Sequence, residues 1–182
     1  MNRELTKEDI TKIVDDPIIL ERIEEVINDY QMSKVDVAAA LGYSAPLVSY
    51  ITNKKQKKPR SEFIYRFCKY FRVSMDYIVG ISDIKRKPPR SPRSKLEFSS
   101  HEEYVKMNSD SVAYRNRIKD ICMNIFDYTY ASASSFARGR RNVPLPVMIY
   151  IAITENTSLD YMFALTDAKE FSLSDRLVKM WE

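Results

Sequence analysis

The chain has 182 residues, 45% of them apolar, enough to build a real core in one ordinary domain or two small ones. Three glycines are too few for the tight turns and phosphate loops of most α/β enzymes, and the long Val/Ile runs of a buried parallel sheet are missing, so the expected fold class is all-α. The formal net charge of +4 is unevenly placed: residues 1–30 carry four cations against nine acids, residues 51–60 carry five cations and no acid, and residues 83–97 carry six cations against two acids.

In chain order, Thr6 with Asp9 reads as a capping box opening a first helix. That helix ends before Asp16-Pro17, itself an N-cap followed by proline at the first helical position. Ile19, Ile23, Val26, Ile27 and Tyr30 recur at helical spacing. Ser33 with Asp36 opens the next helix, which closes at Gly42. Ser44 caps another, with Pro46 harmless in its first turn, and Pro59 breaks the chain before a helix carrying Phe63, Ile64, Phe67 and Phe71. Ser74 caps a last short helix through Met75, Tyr77 and Ile78. The run IKRKPPRSPRSK (84–95) favours extended polyproline and predicts a basic, Pro-rich linker over 82–98 between domains at 1–81 and 99–182. The closing FSLSDRLVKMWE predicts a short amphipathic helix packed on its own domain.

Local clusters of cations attract polyanions, which makes nucleic acid the leading partner class. Two helices of about eight residues across the turn Gly42-Tyr43-Ser44 suit a helix-turn-helix. The run SKVDVAAALGYSAPLVSYITNKKQKKP, followed by a helix and VSMDYIVG, resembles the Cro/lambda-repressor (XRE) family of helix-turn-helix proteins over residues 18–81. Ala38, Gly42, Val48 and the segment from Val73 to Tyr77 carry the resemblance. It implies a DNA-binding transcriptional regulator of repressor type in which Ala45, Pro46, Ser49 and Tyr50 face base edges. Lys34, Asn53, Lys54, Lys55, Lys57 and Arg60 then face phosphate. Ala45 and Pro46 stand where the family commonly has Gln, Arg or Asn. Apolar side chains there touch only a thymine methyl or sense shape, so affinity is expected to be dominated by phosphate contacts.

The ending VSMDYIVGISD (73–83) reappears as TSLDYMFALTD (157–167), displaced by 84, which argues for an internal duplication. Phe136, Gly139 and Pro144 match Ile51, Lys54 and Pro59 at a displacement of 85. RIKDICMNIFD then replaces the first motif helix and YASASSFARG the second, with Asp127 in place of the turn glycine and Met123 in place of the crossing alanine. The second-copy DNA candidates are Tyr130, Ala131, Ser134 and Ser135 for bases and Arg138, Arg140 and Arg141 for phosphate. Such a chain is expected to bind double-stranded DNA as a monomer acting as an internal dimer, or as a homodimer, the alternative for the second copy being a packing half that does not touch DNA. The arrangement is similar to tandem helix-turn-helix proteins of phages and conjugative plasmids.

His101 is the only histidine, and neither G-x-S-x-G nor G-x-x-x-x-G-K occurs, so an enzyme is not expected. Cys68 and Cys122 stand alone in apolar stretches, which indicates buried thiols with no metal site, and nothing in the sequence calls for a cofactor. No window approaches 18 uncharged apolar residues and the start, MNRELTKEDI, has no apolar signal region, so the expected location is cytoplasmic, with no membrane partner. The competing reading is a protein-binding regulator, an antirepressor or inhibitor on the same scaffold, which has no need for a basic loop at 54–60.

Overall fold

The computed structural model describes residues 4–53, 59–86, 112–163 and 165–181, and every regular element among them is a helix. The fold is all-α. Two compact units form, one from residues 13–87 with 172–182, the other from residues 1–12 with 88–171. The sequence suggests a cut between 81 and 99; instead the outer segments change places, and the division falls inside the first helix. The predicted linker lies mostly outside the described residues, as does His101.

Capping chemistry sets most boundaries. α1 (Lys7–Asp15) opens on the Thr6–Asp9 box, with Thr6 N–H donating to Asp9 Oδ2 at 3.1 Å and Asp9 N–H donating back to Thr6 Oγ1 at 3.2 Å. α2 (Ile18–Asp29) starts one residue later than expected: Pro17 is its N-cap, and Asp16 Oδ1 accepts from Ile18 N–H at 2.9 Å. α3 (Lys34–Leu41) has the full Ser33–Asp36 box and closes on Gly42 at φ 71°. α4 (Ala45–Thr52) follows Ser44, whose hydroxyl, contrary to expectation, makes no capping bond. α5 (Ser61–Phe71) and α6 (Met75–Ile78) complete the series, α6 with Ser74 Oγ accepting from Tyr77 N–H.

In the 13–87 unit the core is built on α5. Phe63, Phe67 and Phe71, one turn apart, stack with centroids 6.1 and 4.5 Å apart, and Tyr30 meets Phe71 edge-on at 5.0 Å. In the same unit α2 buries Ile19, Ile23, Val26 and Ile27, α3 buries Val37, Ala38 and Leu41, and α4 buries Val48 and Ile51. A polar network ties the segment after α6 to α2. Arg22 donates to the carbonyls of Tyr77 and Ser82, Tyr77 Oη donates to Glu25 at 2.7 Å, and Lys85 bridges Glu25 at 2.6 Å and Asp29 at 2.7 Å.

The closing helix α11 (Asp175–Trp181) belongs to this same unit, not to the later half of the chain as its sequence position suggests. Ser174 Oγ donates to Gly80 O at 3.0 Å, Ser174 N–H to Ile81 O at 2.9 Å, and Arg176 pairs with Asp16. Leu177 is fully buried. Gly80 lies at φ 78°, and a Cβ there would sit 2.8 Å from Ile18 and from the Arg176 guanidinium, so only glycine fits. Amphipathic spacing identified α11 as a helix with a face to bury, but the complementary acid, Asp16, lies 160 residues away in the chain.

The other unit contains α7 (Val112–Asp120), a π-helical turn (Ile121–Ile125), α8 (Tyr130–Ala137), α9 (Leu145–Thr154) and α10 (Leu159–Met162). α7 packs on α8. Ile118, Cys122, Ala133, Phe136, Val147, Met148 and Leu159 are buried, and burial pushes the Cys122 thiol up to about 11. Leu5 and Ile10 are buried as well, and Lys7 pairs with Asp127 at 2.5 Å. The π turn corrects one sequence match. Met123, matched by sequence to the crossing alanine, is 38% exposed, and the small, fully buried side chain in this turn is Cys122.

Several backbone bonds recur 84 residues apart. Val73 N–H to Cys68 O is repeated by Thr157 to Ala152, Ser74 to Lys85 by Ser158 to Lys169, and Ile81 to Asp76 by Leu165 to Asp160. Arg72 and Asn156, also 84 apart, are both left-handed.

Two outcomes follow from these contacts. Leu177→Ala should cost about 2–5 kcal/mol, with amide-exchange protection lost in α2 and α5 and retained in α9. Lys85 first, and Tyr77 second, hold the Glu25 carboxyl below the ordinary range. Its contribution is therefore complete above the unfolded glutamate pKa, about 4.3, and disappears as pH falls through the lower folded value. Glu25→Gln should flatten the fall of the urea midpoint between about pH 5 and pH 3.

Candidate nucleic-acid interface

The site is assembled from two helices and the turn between them. Left-handed Gly42 stops α3, its N–H reaching Ala39 O at 3.3 Å while Tyr43 N–H reaches Ala38 O at 2.9 Å. Tyr43 then packs on Phe63 with centroids 5.6 Å apart, beneath the Arg66 guanidinium at 5.2 Å. Burial raises the Tyr43 pKa. Arg66 also donates to Leu41 O at 3.4 Å and pairs with Glu62, so α5 holds both sides of the turn.

With the turn fixed, α4 has a defined inner and outer face. Val48, Ile51 and Thr52 point inward, Thr52 Oγ1 donating to Val48 O at 2.9 Å. Ala45 is half-buried, while Pro46, Leu47, Ser49 and Tyr50 are exposed. Leu47 is not among the base-facing positions that the family resemblance implies. The signal was available, because inward positions 48, 51 and 52 leave 46, 47, 49 and 50 outside. None of the eight residues of α4 is charged. Lys34 at the start of α3, Asn53 just after α4 and Arg60 just before α5 are all exposed. Lys54, Lys55, Lys57 and Lys58 lie outside the described residues.

In the other unit the segment leading into α8 has its own left-handed turn and aromatic contact. Asp127 takes the left-handed conformation, φ 55°, where a glycine was expected, a geometry that aspartate tolerates better than most side chains. Tyr128 packs edge-on against Phe136 at 5.4 Å. Thr129 caps α8 by accepting from Ser132 N–H at 3.3 Å. Tyr130 is 62% exposed and Ala131 exposed, with the Lys119 ammonium 5.7 Å from the Tyr130 ring centroid. Ser135 is half-buried, and Arg138, Arg140 and Arg141 are exposed, the last with its guanidinium 5.0 Å from the Phe136 ring. Ser134 departs from its base-facing assignment: it is only 9% exposed, because α8 turns Ala133, Ser134, Phe136 and Ala137 inward.

Among the described residues no group of three or more His, Cys, Asp or Glu side chains is placed to hold a metal ion, and no helix is long and apolar enough to cross a membrane. Compared with family models, curated proteins and solved structures, the chain matches none.

A β-carbon at residue 42 would meet only Arg66, at an ordinary 3.6 Å, so the cost of Gly42→Ala is conformational. That substitution should lower stability by about 1–2 kcal/mol, measured as a shift in the denaturation midpoint with little change in slope.

Proposed function

We propose that the chain is a sequence-specific double-stranded DNA-binding protein, a transcriptional regulator of repressor type, in which α3 and α4 form a helix-turn-helix and α4 enters the major groove. The observation that carries this reading is α4 itself. It is an eight-residue helix behind a left-handed glycine, its inner face locked by Val48 and Ile51 and its outer face free of charge, with exposed Lys34 and Arg60 on the flanking elements. The cations of the 54–60 loop follow α4 directly in sequence. Phosphate contacts from such groups supply sequence-independent affinity, and the helix supplies discrimination.

The second unit is proposed to be a duplicated copy of the first. The backbone bonds repeated at 84, the paired left-handed residues and the equal eight-residue lengths of α4 and α8 support this. A one-residue gain in the π turn and a one-residue loss before α9 reconcile the 84 and 85 displacements. Tyr130, Ala131, Ser135 and the three arginines make α8 a second DNA-facing helix, giving an internal dimer. The outer face of α4, with exposed Leu47 and Tyr50, also favours a second reading, an apolar docking surface on a protein-binding regulator.

Salt titration separates the two readings. Replacing Lys57 and Arg60 together with Ala should weaken binding to all duplexes alike and reduce the log–log salt slope by about 2. Unchanged affinity and slope would favour the protein-binding regulator.

A further inference from the structure

We propose that the outer face of α4 reads thymine through its C5-methyl group, with Leu47 as the principal contact and Pro46 and the Tyr50 ring beside it; this rests on the DNA-binding reading above. On α2 the exposed positions carry Glu21, Glu25, Asn28 and Asp29. On α4 they carry Pro46, Leu47, Ser49 and Tyr50, with Leu47 and Tyr50 each 39% exposed. Packing does not require these apolar groups, since Val48, Ile51 and Thr52 already close the inner face.

A helix docked in the major groove meets acceptors, donors and one apolar feature, the thymine methyl. α4 has no Arg, Lys, Asn, Gln, Asp or Glu, so the paired hydrogen bonds that single out guanine or adenine are not available to it. The Ser49 and Tyr50 hydroxyls can each donate or accept and so discriminate weakly. Docking strips no charge of water on α4, and each methyl buried against Leu47, Pro46 or the Tyr50 ring removes apolar surface from water. α8 offers similar chemistry in exposed Tyr130 and Ala131, again without a charged side chain.

The test uses the full chain with two 30-base-pair probes, an alternating dA-dT duplex and its dA-dU counterpart. Uracil keeps every hydrogen-bonding edge of thymine and lacks only the methyl. The dU duplex should bind about fourfold more weakly per methyl contacted, with an unchanged salt slope. Leu47→Ala should close most of that gap, while Leu47→Met and Tyr50→Phe, which keep apolar surface, should preserve it. Equal affinity for the two duplexes, with salt-dependent binding intact, would overturn methyl readout and leave the DNA-binding reading standing. A gap that persists in Leu47→Ala would overturn the assignment to Leu47. No salt-dependent binding to either duplex would overturn both readings and give this face to an apolar protein partner.

Discussion

The packing of Tyr43 between Phe63 and the Arg66 guanidinium governs the position of α4. A three-residue turn leaves a short helix free to pivot, and α4 has no capping bond from Ser44 to restrain it. Its direction is set from outside: Tyr43 fastens the turn to α5, Arg66 reaches the end of α3 through Leu41 O, and Val48 and Ile51 seat the helix on the core. α5 can do this because Phe63, Phe67 and Phe71 recur every fourth residue and form one continuous aromatic row. The outer face of α4 is therefore presented on a rigid support.

On the DNA-binding reading, affinity and discrimination reside in different residues. The cations lie at the start of α3 and after α4, where phosphate contacts are expected, whereas α4 itself is uncharged.

Much of the architecture was legible in the sequence because capping is local. Thr6 with Asp9, Ser33 with Asp36, and Ser74 all announced their helices, and Gly42 announced the turn. Three features escaped for identifiable reasons. The π turn at Ile121–Ile125 leaves composition undisturbed, so a fixed displacement picked exposed Met123 where the buried side chain is Cys122. Ser134 is small and polar enough to suit either face, and only the packing of α8 turns it inward. The exchange of outer segments depends on pairs such as Arg176 with Asp16, and amphipathic spacing states that a face is buried without stating what covers it.

That exchange has a consequence for synthesis. Chains emerge from the ribosome N-terminus first, and domains commonly complete folding in that order. Here the contact of Ser174 with Gly80 spans 94 residues, so the 13–87 unit waits for Leu177 until the whole second unit has been translated. Closing a loop of that length carries an entropic cost that slows the last step relative to a domain built from contiguous chain. Until α11 is translated, Gly80, Ile81 and Asp16 lack the partners that Ser174 and Arg176 supply.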